Sequence, residues 1–565
     1  MKPNSLLACG LALVLLLSGC VSIPRDGGIG RIDVGEDYGG VQSRVDPDGP
    51  VPGAGPDEIV RGFLAAGAGY SNNFEVARSF LTESFAGEWD PLASVRVMPA
   101  GTGLDEVTSE ITSDSQNVSL AVPVQAVLDE RRIYREPSDA THLDLDFSLR
   151  QVNGEWRISS APAGMVVSAT SFSSIFQSYP LYFYTPGYEY LVPDVRWFIR
   201  SPATPTEVMS ELLLGPADHL GGAVVSAVPE GTQLNPRAVG VTEGTAEVGL
   251  SDTVEGLDSQ TWSRLHTQVS ETLTEIGAVT AVEISAPSGV VDPEASSPAK
   301  ALVEIDSRPV VISDGRLARG SGTQIEPVPG SPELAAGASD PAVAIDESMY
   351  AYLGAEGAEL HRLRGADMSD VSILTGDQLV GPSFDRYGWT WTAEAESEGM
   401  LQAVDSGGEL ARVDAPFADG RRIIALHVSR DGTRLGVLSA DDEDQPRLDI
   451  IGITRNSSGA PTGTTAASPI TVAAGFEQIV DFSWAGSGAV VLLGAPGDGA
   501  IQPYSAPVSG PVESLGTVDG GSRITAGNDL RSLRISTPSG EMHIYGAGNW
   551  QKVVDARAFD PAYPG

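Results

Sequence analysis

Only two cysteines, three lysines and no apolar run of bilayer length occur in this 565-residue chain. Cys9 and Cys20 both fall in the first twenty residues, so everything after them folds without a disulfide or a thiolate metal site. Lys2, Lys300 and Lys552 are the lysines; Lys plus Arg come to 35 against 75 Asp plus Glu, a formal charge of −40. Nucleic-acid binding needs a basic surface, so no nucleic-acid partner is expected. Recruitment to an anionic membrane by a basic patch is excluded on the same ground. The six histidines, His142, His219, His266, His361, His427 and His543, show no metal-ligand spacing on a helix and no HExxH pattern. There is no G-x-S-x-G elbow, no P-loop and no dinucleotide fingerprint after a strand. Carboxylates are too abundant for any pair to stand out as acid and base. Asp441-Asp442-Glu443-Asp444 reads as a solvated turn or a weak divalent-cation site. No catalytic residue, metal or cofactor is therefore assigned, and the chain is not read as an enzyme. Hydrophobic residues make up 41%, enough for packed cores, and the length suits three or four domains.

The amino terminus carries the most specific signal. Lys2 precedes the apolar run Leu6 to Leu17. Spanning a bilayer as a helix takes about 20 residues, so this run is too short and fits the h-region of a secretory signal. Leu17-Ser18-Gly19-Cys20 follows directly and resembles the lipobox of bacterial lipoproteins. That resemblance implies cleavage between Gly19 and Cys20 and thioether lipidation of Cys20, with two or three acyl chains giving firm attachment. Residues 1–19 are then a signal peptide, and 20–55, rich in Gly, Pro and Asp, a flexible tether with a coil span of roughly 30–35 Å.

Three folded regions are expected beyond the tether. In 56–165, Ile59, Val60, Phe63 and Leu64 have helical spacing, and Phe74, Val76, Ala77, Phe80, Leu81 and Phe85 continue on a second helical stretch. Alternating strands follow at Val118–Val124 and Leu143–Leu149, then Gly154-Glu155-Trp156-Arg157-Ile158 after an Asn-Gly turn. Helices before a curved antiparallel sheet resemble the cystatin-like α+β folds of the nuclear-transport-factor type (NTF2-like). In 178–295, Thr204-Pro205-Thr206-Glu207 reads as a capping box opening a helix, and Trp262, Leu265, Val269, Leu273 and Ile276 form the stripe of another. Leu214-Gly215-Pro216, Val228-Pro229-Glu230-Gly231-Thr232, Val248-Gly249-Leu250-Ser251 and Thr272-Leu273-Thr274-Glu275 resemble, in order, the motifs of the GerMN α+β domain. Its aromatics Tyr179, Tyr182, Phe183, Tyr184, Tyr188, Tyr190, Trp197 and Phe198 are read as core, as an interdomain seam or as a partner surface.

Residues 300–565 hold five diffuse repeats, with Asp346, Asp385, Asp431, Ala485 and Asn528 as equivalent positions. Repeats of 40–50 residues with Asp-Gly turns before apolar strands fit a β-propeller of five to seven blades; a two-sheet sandwich is the alternative. The segment from Pro287 to Pro341 is linker, first blade or both.

Lipobox, tether, α+β domain, GerMN domain and C-terminal propeller in that order resemble the actinobacterial LpqB lipoprotein family. The resemblance implies a protein held on the extracytoplasmic face of the cell membrane through lipid on Cys20. It further implies a partner in the extracytoplasmic domain of an MtrB-type sensor histidine kinase, and a role in cell-envelope and division homeostasis. A receptor or scaffold for a small cell-wall-derived ligand is the second reading. An envelope hydrolase is the third, which two opposed carboxylates in a pocket would revive.

Overall fold

The computed structural model describes residues 47–69, 73–111, 116–137, 141–290, 299–300, 302–321, 324–364, 368–553 and 557–565. The signal peptide, the lipobox with Gly19 and Cys20, and most of the expected tether lie outside the described residues.

Helix α1 (Pro56–Ala66) opens with proline in its first turn, and Glu58 returns to accept from the Gly55 amide at 2.9 Å. It buries Ile59, Val60, Phe63 and Leu64. They lie in one core with a four-stranded antiparallel sheet of Thr108–Ile111, Asn117–Val124, Thr141–Val152 and Glu155–Ser160. Strict alternation puts Val118, Leu120, Val122 and Val124 on the buried face, opposite Phe147 and Leu145. The second expected helical stretch is split into α2 (Glu75–Ser79) and α3 (Glu83–Glu88). Phe80 to Thr82 leave the helix because they bond to the sheet edge: the Ile158 amide donates to Phe80 O at 2.9 Å and the Thr82 amide to Ile158 O at 2.8 Å. A second sheet (Val95–Met98, Ala126–Leu128, Tyr134–Arg135, Met165–Ser168) and α4 (Ala169–Ile175) complete the unit.

An antiparallel pair, Phe176–Tyr184 with Leu191–Ile199, begins the next unit. Helix α5 (Thr204–Leu213) follows, but Thr204 does not cap it. Its hydroxyl accepts from the Ser201 amide at 3.1 Å and lies 2.9 Å from Ile199 O, locking the entering turn instead. Helix α6 (Ser259–Leu273) is capped by Asp258, whose Oδ1 accepts from the Thr261 amide at 2.7 Å. Its stripe, Trp262, Leu265, Val269 and Leu273, is buried in a core that includes the aromatic hairpin residues and Thr245–Gly249 paired parallel to Ala281–Ala286.

Among the described residues, five sheets of four strands and one of five form the remainder. Blades 2 to 6 are contiguous in sequence, at 339–375, 383–414, 422–464, 478–514 and 523–552, and blade 4 carries an extra strand, Ile470–Val472. Blade 1 is assembled from two places: Val310–Ser313, Arg316–Ser321 and Gln324–Pro327 supply three strands, and Phe559–Ala562 pairs with Val310–Ser313 as the fourth and innermost. The six innermost strands each neighbour the next, and the ring closes between Phe559–Ala562 and Ser339–Val343. This is a six-bladed propeller rather than a two-sheet sandwich.

The Asp-Gly turns are hydrogen-bond hubs. In blade 4, Asp431 Oδ1 accepts from Ser429 Oγ and the Thr433 amide, both at 2.9 Å, while Oδ2 pairs with Arg434 at 2.5 Å. Gly432 has φ of +78°, and a Cβ there would strike Arg386 and Tyr387 of blade 3, so the turn needs glycine on two counts. The strand that follows, Arg434–Ala440, is buried throughout between blades.

Candidate functional site

The propeller axis contains a channel of about 340 Å³ lined by the innermost strands. Charge gathers where those strands begin: Asp340, Arg422, Asp481, Arg523 and Asp560 come from five different blades. Arg523 Nε pairs with Asp340 Oδ1 at 2.9 Å, and the Asp340 amide donates to Asp560 Oδ2 at 3.2 Å. Asp481 is 7% exposed; the Ile524 amide donates to its Oδ2 at 2.7 Å, and among the described residues no salt bridge neutralises it or Asp560. Burial pushes the Asp481 carboxyl up to about 7 against the pull of Arg523, and burial raises Asp560 as well. Burial opposes the charge on Arg523, but Asp340, Asp481 and Asp560 together raise its pKa. His427 lines the wall, and its ring nitrogens make no hydrogen bond among the described residues; burial lowers it to about 4, so it is neutral at neutral pH.

Arg422 and Arg523 leave this end half-exposed, whereas the other end is stopped. Arg430 is buried there without a carboxylate. Its guanidinium donates to Ala526 O at 2.7 Å, Pro564 O at 3.0 Å, Gly527 O at 3.2 Å and Trp484 O at 3.4 Å. Loss of solvation brings its pKa down to about 10. Tyr190, Leu191, Leu302 and Val303 lie beyond it, and Asn528 Nδ2 donates to Val303 O at 2.9 Å. The channel is blind.

A pH experiment reads Asp481 directly. A carboxyl raised above its unfolded value of about 3.9 contributes stability below that value and loses it as pH rises through 7. Asp481→Asn removes the buried charge and keeps an acceptor for Ile524. The melting temperature of this variant relative to wild type is expected to climb by several degrees between pH 5 and pH 8 in scanning calorimetry. A gap that does not change would show that Asp481 carries no such shift.

The second feature is the seam. Arg196 and Asp194 are fully buried and form a two-pronged pair, Nε to Oδ1 at 2.8 Å and Nη2 to Oδ2 at 2.6 Å. Arg196 Nη1 also donates to Arg131 O at 2.7 Å and lies 3.3 Å from Glu211. The Ala217 amide donates to Asp194 Oδ2 at 2.7 Å. Burial raises the Asp194 carboxyl, but Arg196 outweighs it and the net shift is downward. The α+β units meet the propeller beside this pair. Trp197 Nε1 donates to Ser509 O at 2.7 Å, the Tyr134 amide to Ser509 Oγ at 3.0 Å, and Thr465 Oγ1 to His219 O at 3.1 Å. The Ala474 amide donates to Glu136, a carboxyl that burial pushes up to about 7. Burial holds His219 down at about 4.

The aromatic cluster is thereby placed. Tyr179, Tyr182, Phe183, Tyr184 and Phe198 are core, and Trp197 packs at a tilt against Tyr134 and Phe172 in the seam. Tyr188 and Tyr190 are half-buried under Arg264 and Arg386. Asp441 closes a turn by accepting from the Glu443 and Gln445 amides at 3.1 and 2.9 Å. Among the described residues no group of three or more His, Cys, Asp or Glu is placed to hold a metal. The channel carboxylates escaped the sequence reading because they come from separate blades; the one local signal was a charge within an apolar inner strand, as at Val480-Asp481-Phe482.

Two α+β units packed on a closed propeller, with a charged channel along its axis, define a modular protein of three folded units. The chain matches three family models: the lipoprotein LpqB N-terminal domain over residues 49–173, the sporulation and spore germination (Germane) domain over 180–287, and the lipoprotein LpqB β-propeller domain over 315–564. It is 27% identical to lipoprotein LpqB of Thermobifida fusca, over 98% of this chain and 97% of that one. It is 31% identical to lipoprotein LpqB of Cutibacterium acnes over 49% of this chain and 45% of that one. Among solved structures, TolB from Acinetobacter baumannii overlaps 55% of this chain and 87% of its own, at 12% identity and a TM-score of 0.35. The chain belongs to the LpqB lipoprotein family. A lipoprotein is attached to a membrane by lipid; among the described residues no helix is long and apolar enough to cross one.

Proposed function

We propose that this lipoprotein is a non-enzymatic regulator, held by lipid on Cys20 at the extracytoplasmic face of the cell membrane. It engages the extracytoplasmic domain of an MtrB-type sensor histidine kinase and so influences envelope and division homeostasis. The observation that supports this reading is the seam: the buried Asp194–Arg196 pair and the Trp197–Ser509 contact join the units, so a partner meets one composite surface. Tethering makes weak contact sufficient, because two proteins anchored within roughly 30–35 Å of one membrane meet at high effective concentration. Preference for one kinase conformation over another then shifts the population of the two.

The test is reconstitution of full-length lipoprotein with the kinase in vesicles. Wild type is expected to change the autophosphorylation rate, and Cys20→Ser, which leaves the vesicle, to lose roughly 100-fold in potency while its soluble form still binds the isolated kinase ectodomain weakly. No binding of either form to the ectodomain would remove the kinase from the account. The second reading, a receptor for a small cell-wall-derived ligand, is favoured by the blind channel.

A further inference from the structure

We propose that the joint between the Germane unit and the propeller is completed by a single buried water molecule, held between His219 and Arg434. The inference adds a binding site to the seam and does not depend on the kinase contact.

The site is a cavity of about 10 Å³, room for one water. His219 and Asp194 wall it from the Germane unit, Arg434 and Ile470 from blade 4, and Val508 and Ser509 from blade 5. All six are buried. Two of them point to an occupant independently of the cavity's size. His219 Nδ1 and Arg434 Nε are enclosed and have no hydrogen-bond partner among the described residues. A buried polar atom left unpaired is costly, and in native proteins such atoms are paired with protein or with ordered water. Both residues border the same small space, so one occupant can serve both.

The chemistry of the wall selects that occupant. Arg434 Nε can only donate, so the occupant must accept, which excludes a cation. An anion would need surplus positive charge, and there is none. Arg434 is paired with Asp431 at 2.5 Å, burial keeps His219 neutral at neutral pH, and the Asp194 carboxylate stands in the wall. An apolar atom would leave both nitrogens unpaired. Water fits all three conditions, accepting from Arg434 Nε and pairing with His219 Nδ1. The wall has capacity for two further bonds. Asp194 Oδ1 meets one donor, Arg196 Nε at 2.8 Å, and keeps a lone pair. Ser509 Oγ accepts from the Tyr134 amide at 3.0 Å and keeps its proton to give. Buried waters make about three hydrogen bonds, within what this wall supplies.

The position gives the water a structural task. The units already touch directly through Trp197 with Ser509 and His219 with Thr465. Between those contacts the side chains of the Germane unit and of blades 4 and 5 stop short of one another, and the water spans the gap.

The test is a crystal structure of the full-length lipoprotein at a resolution that shows ordered solvent, with a second crystal soaked in bromide. One density peak is expected in the cavity, within hydrogen-bond distance of both His219 Nδ1 and Arg434 Nε, with no anomalous signal after the soak. His219→Asn, which keeps a polar side chain in the wall, should retain the peak. His219→Leu, which removes the ring nitrogens, should lose it. An empty cavity in the wild type would overturn the proposal without recourse to either variant. A bromide signal at the peak would make the site an anion site and overturn it too, as would a peak that persists unchanged in His219→Leu. None of these results bears on kinase binding, which is measured separately.

Discussion

Asp194→Ala is expected to cost about 3–5 kcal/mol in a denaturant titration, the range for breaking a buried ion pair by removing one partner. The side chains of Arg196 and Asp194 are 0% and 1% exposed, so solvent does not soften the loss. Arg196 would keep only Glu211 at 3.3 Å and the Arg131 carbonyl, and the Ala217 amide would lose its acceptor in a buried site. Ala217 packs with Ile133 and the apolar residues of blades 4 and 5, so the damage reaches the junction of all three units. A single unfolding transition should split, with the propeller and the α+β units melting apart. Adding Arg196→Met should recover much of the loss, because the double variant buries no unpaired charge. Acid provides an internal check. The Asp194 pKa is lowered on folding, so its contribution is complete above the unfolded value of about 3.9 and disappears as pH falls through the folded one. The gap between wild type and variant should therefore be full above about pH 4 and begin to narrow only below it.

Deleting residues 559–565 should have the larger effect, leaving the propeller without a stable folded state. The segment supplies the innermost strand of blade 1, with Val310 opposite Ala562 and Ile312 opposite Phe559. It also fills the blind end. Pro564 O is one of the four carbonyls around Arg430, the Tyr563 hydroxyl donates to Ser532 O at 2.8 Å, and the Gly565 amide donates to Val343 O at 3.0 Å. Without it, the buried Arg430 loses an acceptor and the inner ring is broken. Whole domains are stable by only about 5–15 kcal/mol, so loss of a central strand exceeds what the remainder can absorb. Limited proteolysis should cut the truncated protein throughout 310–552. Fragments covering 47–290 should persist, because those units have their own cores. A truncated propeller that resists protease as wild type does would show that closure does not hold it together.

Periodicity made most of this architecture legible. The stripe of α6 from Trp262 to Leu273 and the alternation at Val118–Val124 reach the structure, because burial imposes a period of 3.6 or 2 on the residues that face the core, whereas Ile276, expected on the same stripe, is buried just past the end of the helix. The failures have equally physical causes. Phe74–Phe85 has helical spacing, yet the sheet edge takes the backbone of Phe80–Thr82 for itself. The sequence shows five repeats where the structure has six blades, since Asp346, Asp385, Asp431 and Asn528 follow, and Ala485 ends, the inner strands of blades 2 to 6. Blade 1 has no contiguous repeat to find: its inner strand comes more than 200 residues after its neighbour. The charged channel was hidden for a related reason. Asp340, Asp481 and Asp560 share no sequence spacing and meet only when the ring closes.

That closing strand also sets an order of assembly. Phe559–Ala562 is made after every other strand of the ring, and its pairing partner has by then waited through the synthesis of five blades. The two α+β units have their own cores and can mature early, whereas the ring stays an unfinished arc until its closing strand arrives. A truncation anywhere within the propeller is therefore read out at a single place, as a ring that never shuts.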